Sequence, residues 1–198
     1  MVRIIAEPGS TAEGAAGTFV ALISLAARIG CDIFKNQWVS DPGQLCERRR
    51  APEYREAYAK IAYDPNLHGL LAAETRGRGM LYACSVYLPI DVAVVEPHCD
   101  YLKCSSFESG DSAMRDAFWP YRHKTIVSFG MGGDPRGYEE FAARLHCVSA
   151  YPTPEDQMNL GVIAKGLDGL SDHSKHPWTG ALAVAAGARF VEFHVRLD

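Results

Sequence analysis

The chain predicts a compact (β/α)8 barrel of the TIM type, without its last helix, and three observations lead there. Eight short apolar runs rich in β-branched residues recur along its 198 residues. Amphipathic or alanine-rich stretches separate them, and polar residues fall at alternate positions near the ends of several runs. Parallel strands joined by helical crossovers produce the first two features. A barrel produces the third, because alternate strand residues point into its lumen and functional groups gather at the strands' C-terminal ends.

The strand runs span residues 3–7, 32–37, 80–85, 101–103, 125–128, 144–149, 169–173 and 189–194. Helices are expected over 18–29, in one or two pieces within 52–75, and over 90–95, 112–119, 136–143, 154–166 and 179–186. The sixth has a readable start: Thr153 can cap, Pro154 suits the first helical position, and Asp156 stands where a capping-box acid would. Pro42-Gly43 reads as a turn after the second strand, and 39–79 is the longest connection, placed to carry a lid or substrate-facing loop. The sequence ends four residues after His194. A groove beside outward-facing Val191, Phe193 and Val195 is therefore expected to lie open or to be filled by another chain, in a homo-oligomer or with a partner subunit.

The composition, 47% hydrophobic and 22% charged, suits one globular domain over residues 1–198. A formal net charge of -4 argues against a nucleic-acid or anionic-membrane surface and leaves a small-molecule partner as the expectation. Six cysteines without a C-x-x-C pair read as reduced, partly buried thiols. Glu7 interrupts the first apolar run before a signal-peptide core could form, and no window reaches the ~20 apolar residues of a membrane span. Cytoplasmic placement follows as the expectation.

Two sets of residues carry chemistry. On the eighth run Phe190, Glu192 and His194 share the inward face, and on the seventh Ser171 and His173 do. Adjacent strand ends can thus bring His173 and His194 to one ion while leaving positions open for substrate, as a catalytic metal requires. The competing reading, core histidines held by hydrogen bonds, applies to either ring alone. His146 falls to structure, and His68, His98 and His123 read as loop or surface residues. The second set is Lys35, which shares a face with Gln37, and Lys103. A buried ammonium needs an anion. Glu7 or Glu192 could be that partner, but two lysines with Ser106, Ser128, Ser149 and Ser171 at strand ends look more like a site for a phosphorylated carboxylate. Arg48-Arg49-Arg50 reads as a solvated loop or helix start, and Gly130-Met131-Gly132-Gly133 as an ordinary strand-end turn.

Read in order, Ile4-Ile5-Ala6-Glu7, Phe34-Lys35-Asn36-Gln37, Leu102-Lys103-Cys104-Ser105-Ser106, Val127-Ser128-Phe129-Gly130-Met131, Leu145-His146-Cys147, Tyr151-Pro152-Thr153-Pro154, Ser171-Asp172-His173 and Glu192-Phe193-His194 resemble the N-acetylneuraminate synthase family over nearly the whole chain. The resemblance implies condensation of phosphoenolpyruvate with an N-acetylmannosamine-type aldose, giving a 2-keto-3-deoxy sugar acid and phosphate. It implies a divalent ion, manganese or magnesium, on His173 and His194, and Glu7 handling a proton or orienting a water. It further implies phosphoenolpyruvate on Lys35, Gln37, Lys103, Ser106, Ser128 and Ser171, and sugar contacts from Glu108 and Tyr151. Ser85 and Ser149 stand where hydroxyl or amide donors vary between members.

Departures from the family pattern are specific. Ser10-Thr11-Ala12-Glu13-Gly14 keeps only the glycine of an Asn-His-x-Gly signature, and Phe129 replaces a threonine. The last barrel helix and the C-terminal antifreeze-like domain are not represented in the sequence. Two other readings therefore stand beside an active synthase: a degenerate barrel serving as a binding or scaffold subunit, and a related synthase that takes a phosphorylated aldose. The latter needs a second phosphate site, for which Arg48 to Arg50 are the candidates.

Overall fold

The computed structural model describes residues 1–131 and 133–197. Eight parallel strands close on themselves: β1 (Arg3–Glu7), β2 (Ile33–Trp38), β3 (Leu81–Val86), β4 (Tyr101–Cys104), β5 (Thr125–Phe129), β6 (Ala143–Cys147), β7 (Gly169–Asp172) and β8 (Phe190–His194). Closure pairs β8 with β1 and sets Glu7 opposite His194. Seven α-helices are described: α1 (Ala16–Arg28), α2 (Pro42–Arg49), α3 (Arg55–Ala59), α4 (Leu67–Arg76), α5 (Pro89–Val95), α6 (Ser112–Phe118) and α7 (Thr179–Ala185). Helix α1 illustrates how they attach, since Phe19, Leu22, Ile23 and Ala26, at helical spacing, are its buried residues.

The lumen is layered by the two-residue period of the strands. Its floor is apolar, built from Ile5, Ile33, Ala83, Ile126, Ala143, Leu145 and Phe190, with Leu81 and Tyr101 packed beside them. Each large aliphatic buried there stabilises the fold by about 1.5–3 kcal/mol. Two residues further along every strand but β6, where Cys147 stands, the lumen turns polar, at Glu7, Lys35, Ser85, Lys103, Ser128, Ser171 and Glu192, all buried. Gly169 allows the last seam to close tightly: a Cβ there would lie 2.0 Å from the Phe190 carbonyl oxygen. That approach brings Ser171 opposite Glu192.

Four expectations are corrected. The span 136–143 forms no α-helix; Gly137 lies at φ +84°, outside helical space, and Tyr138 and Phe141 are buried in turns before β6 begins at Ala143. The span 154–166 holds two 3-10 segments, Glu155–Gln157 and Leu160–Lys165, parted by Asn159 at φ +44°. Its proposed cap fails because the Thr153 hydroxyl donates to the Ala150 carbonyl, 3.0 Å, while Pro154 is itself the extended residue before the segment. Pro42-Gly43 opens α2 instead of making a turn, with Asp41 Oδ1 accepting from Gly43 N and Gln44 N at 2.8 and 3.0 Å.

The fourth correction is His68, which is fully buried on α4 rather than at the surface. Its Nδ1 lies 2.9 Å from the Tyr82 hydroxyl, and its ring meets Trp38 edge-on and stacks against His98. His123 is exposed as expected, and His146 is half-buried with Nε2 on the Met158 carbonyl.

Among the described residues no helix follows β8. The seam between α7, β8 and β1 carries a groove of about 1060 Å³, lined on its apolar side by Ile4, Gly180, Val184, Val191 and Phe193. No helix of the described residues is long and apolar enough to cross a membrane. All six cysteines are free and buried. Of the Gly130–Gly133 turn, Gly132 lies outside the described residues.

Candidate active site

The polar layer of the lumen opens at the strands' C-terminal ends into a cavity of about 210 Å³. Lys35 stands at its base. Its ammonium is 2.7 Å from Glu7 Oε2 and 3.2 Å from Glu192 Oε2, and it donates to the Ser85 hydroxyl at 2.9 Å. Lys103 reaches Glu192 Oε1 at 3.3 Å, and the Ser171 hydroxyl donates to the same oxygen at 2.8 Å. Gln37 donates to Glu7 Oε1 at 2.6 Å. The two lysines are thus partnered by two protein carboxylates, as unpaired burial would demand.

Charge states follow from these contacts. Burial alone would raise the carboxyl pKa values, but Lys35 holds Glu7 below its ordinary value, and Lys103 and Lys35 hold Glu192 well below it. Lys35, despite burial, is raised by Glu192 and Glu7. All three are ionised near neutrality. Donor capacity nevertheless remains: Lys103 has three N–H groups and one close carboxylate, and the buried Ser128 hydroxyl has no hydrogen-bond partner among the described residues. Ser106 completes the wall, with its hydroxyl 3.4 Å from that of Ser149.

His173 and His194 face each other at the rim with ring centroids 5.6 Å apart. The Val148 carbonyl lies 2.7 Å from His173 Nδ1, and since a carbonyl only accepts, Nδ1 carries the hydrogen and Nε2 keeps its lone pair. Burial lowers the His173 pKa and favours the neutral ring, the form that binds metals. His194 Nε2 lies 4.0 Å from Glu7 Oε2. These two imidazoles are the side chains best placed to hold a divalent ion. Among the described residues no group of three or more His, Cys, Asp or Glu is gathered as a cage, so an ion here would keep positions open.

The structure brings Glu7, Lys35, Gln37, Ser85, Lys103, Ser106, Ser128, Tyr151, Ser171, His173 and His194 around one cavity. It does not place Ser149 on a strand, because β6 ends at Cys147; Ser149 contributes only through Ser106. Glu108 is buried beside the rim, tied to Arg49, and Tyr151 is 65% exposed above His173. Among the cavity residues absent from the sequence-derived site, three bear charge or a reactive group. Parity places Glu192 inward, where the sequence suggests only a counter-ion. Cys147 takes the inward position at the end of β6, its sulfur 3.6 Å from His173 Nδ1. Arg49 is no solvated loop residue: its side chain is 15% exposed, pairs with Glu108 and lines the cavity. Only knowing that Asp41-Pro42 starts a helix would have aimed it there.

A closed parallel barrel with its polar groups at the strands' C-terminal mouth defines an (β/α)8-type enzyme scaffold. The chain belongs to the NeuB family, whose model matches residues 22–198. It is 28% identical over 228 residues to the pseudaminic acid synthase of Campylobacter jejuni subsp. jejuni serotype O:23/36 (strain 81-176), covering 100% of this chain and 66% of that protein. The chain thus spans just under two thirds of that relative's length. It superimposes, at a TM-score of 0.85 and 25% identity, on an N-acetylneuraminic acid (sialic acid) synthetase from Leptospira borgpetersenii serovar Hardjo-bovis, covering 100% of this chain and 74% of that one. A phospho-2-dehydro-3-deoxyheptonate aldolase from Thermotoga maritima shares the fold at a TM-score of 0.66 and 12% identity, over 98% of this chain and 59% of that one.

Proposed function

We propose that this chain is a phosphoenolpyruvate-dependent sugar-acid synthase that condenses phosphoenolpyruvate with an N-acetylmannosamine-type aldose. The products are a sialic-acid-like 2-keto-3-deoxy acid and phosphate, with one water consumed. The observation that carries the reading is the convergence of Lys35, Lys103 and the hydroxyls of Ser85, Ser106, Ser128 and Ser171 on one cavity beneath two histidines. An unpartnered buried hydroxyl on Ser128 and spare N–H groups on Lys103 suit a ligand with phosphate and carboxylate oxygens.

In this reading the lysines and serines fix the phosphate and carboxylate before the carbon–carbon bond forms, so that the donor carbon faces the rim. Glu7, ionised and held by Gln37 and Lys35, takes or orients the proton of the water that adds to the donor. His173 and His194 would hold a divalent ion, manganese or magnesium, whose chemistry is polarisation of the aldehyde oxygen. Tyr151 covers the rim from the side of the acceptor.

An unphosphorylated acceptor is favoured by the charge inventory. Arg48 pairs with Asp111 and Arg49 with Glu108, so neither stands free for a second phosphate. Arg50 is exposed and does not line the cavity, so its charge should be dispensable under this reading. The scaffold reading is weakened by the donor capacity that internal pairing leaves over, the spare N–H groups of Lys103 and the Ser128 hydroxyl that has no partner among the described residues. The open groove beside Val191 and Phe193 supports self-association or a partner subunit across that seam. A monodisperse monomer in light scattering at micromolar concentration would count against that part.

The deciding experiment is phosphate release on incubation with phosphoenolpyruvate, manganese and N-acetylmannosamine. Release that depends on all three supports the reading; none with any aldose tried overturns it in favour of a binding subunit.

A further inference from the structure

The rim of the cavity carries a cation that the proposed chemistry leaves unused. Arg49 lies at the last turn of α2, yet its guanidinium turns inward and lines the cavity that Glu7, Lys35 and Lys103 also line. Three aromatic rings box it, with Tyr58, Tyr87 and Phe107 centroids 5.3, 5.0 and 4.7 Å from its central carbon. Glu108 Oε1 accepts from Nε at 2.9 Å and from one terminal nitrogen, while the other terminal nitrogen donates to the Tyr58 hydroxyl at 3.1 Å. A guanidinium has five N–H groups. Three are used, and one hydrogen on each terminal nitrogen is left over beside the cavity.

The same accounting applies to Glu108. It is 4% exposed, one oxygen is shared by Arg49, and the other accepts from the Ser105 hydroxyl. Each carboxylate oxygen can take a further hydrogen. The pair is therefore neutral as a whole and rigid because rings hold it from several sides; Arg49 is its cavity-lining member and can donate to an oxygen, while Glu108 behind it fixes the fork. An uncharged polyhydroxylated molecule with an amide or hydroxyl oxygen matches that pattern. A phosphate monoester matches it less well, since a single guanidinium already shared with Glu108 faces it here, whereas the base of the cavity offers spare N–H groups of Lys103 together with the Ser106, Ser128 and Ser171 hydroxyls.

We propose that Arg49, acting with Glu108, is a specificity-determining residue for the second substrate, its spare N–H groups gripping an oxygen at the end of an uncharged aldose away from the reacting aldehyde. The proposal rests on the synthase reading for its reaction, though not for its binding. Loss of Arg49 acts on the aldose and spares phosphoenolpyruvate, which sits on Lys35 and Lys103 below.

The test uses the full chain with Arg49→Met, Arg49→Lys and, as a control at an exposed neighbour, Arg50→Met. Phosphate release is followed with each substrate varied in turn, and aldose binding is followed independently by saturation-transfer NMR. Arg49→Met should raise KM for N-acetylmannosamine about tenfold or more, the effect of losing hydrogen bonds to a charged donor. The phosphoenolpyruvate KM and Arg50→Met should stay at wild-type values, and Arg49→Lys should recover little because a lysine lacks the planar fork. Should the wild type release no phosphate but bind the aldose in an Arg49-dependent manner, the synthase reading falls and this assignment stands. An unchanged aldose KM in Arg49→Met, equal losses for both substrates, or a wild type that binds no uncharged aldose would each overturn it.

Discussion

The hydroxyl of Tyr151 lies 2.8 Å from His173 Nε2, the ring nitrogen that Val148 leaves with a free lone pair. The two rings stack with centroids 4.0 Å apart, so the phenol lies over the histidine and closes its outer nitrogen. A divalent ion seeking His173 therefore competes with a hydrogen bond. Replacing Tyr151 with Phe removes the competitor and keeps the stacked ring. Manganese affinity, read from the free-ion signal in electron paramagnetic resonance, should tighten by roughly fivefold, the equivalent of ~1 kcal/mol for one neutral hydrogen bond. Unchanged or weaker binding would mean that Tyr151 leaves Nε2 accessible, or that the ion is held elsewhere.

Lys35 is the keystone of the interior charges, because Glu7 and Glu192 both lean on it. Lys35→Met leaves two buried carboxylates with too little compensation and should cost roughly 3–5 kcal/mol of stability at neutral pH. The sign of its pH dependence follows from the lowered carboxyl pKa values. Their stabilising contribution is present above the ordinary value of 4.5 and is lost as pH falls through the folded-state values. The gap between wild type and variant should therefore narrow on acidification, because the variant's carboxyls can be protonated. Urea melts at pH 7.5 and pH 4.5 check this; a gap that stays constant would contradict the pairing.

The barrel and its polar layer were legible because strands obey a strict period of two. Once Ile5, Ile33 and Phe190 are placed inward, Glu7, Lys35 and Glu192 must follow them, and the registers agree. The connections were less legible, since 3.6-residue periodicity over 136–143 or 154–166 is imitated by turn-rich segments that bury the same apolar residues, Tyr138, Phe141 and Ile163. His68 was misplaced for a similar reason. A single histidine reads as exposed by default, and the tertiary partner that buries it, Tyr82, is on another element. For Arg49 the local signal is the Asp41-Pro42 helix start, and its direction depends further on where α2 docks over the rim.

That docking begins with Asp41, whose side chain satisfies two amides of the first turn of α2. Asp41→Ala should loosen the helix by about 1 kcal/mol. Hydrogen exchange across 42–49 should then quicken about fivefold while the strand amides keep their protection. If Arg49 selects the aldose, KM for the aldose should rise with the fraying and the phosphoenolpyruvate KM should not. Uniform loss of protection across the barrel would instead make α2 part of the cooperative core.

His68 supplies a pH response far from the lumen. Burial, with His98 stacked beside it, pushes its pKa down from 6.5 to about 4. The ring meets the Tyr82 hydroxyl on β3 and Trp38 on β2, neither of which can neutralise an imidazolium. The unfolded chain therefore binds a proton near pH 6.5 that the folded chain refuses until about pH 4, and stability falls as pH drops through that window. At ~1.4 kcal/mol per unit of pKa the full effect is on the order of 3 kcal/mol. His68→Gln keeps a polar contact to Tyr82 without a titrating ring. Thermal melts between pH 7 and pH 4.5 should show a shallower decline in the variant than in the wild type, and parallel declines would mean that His68 is not the source of the acid sensitivity in this window, which lies above the range where the lowered Glu7 and Glu192 carboxyls titrate.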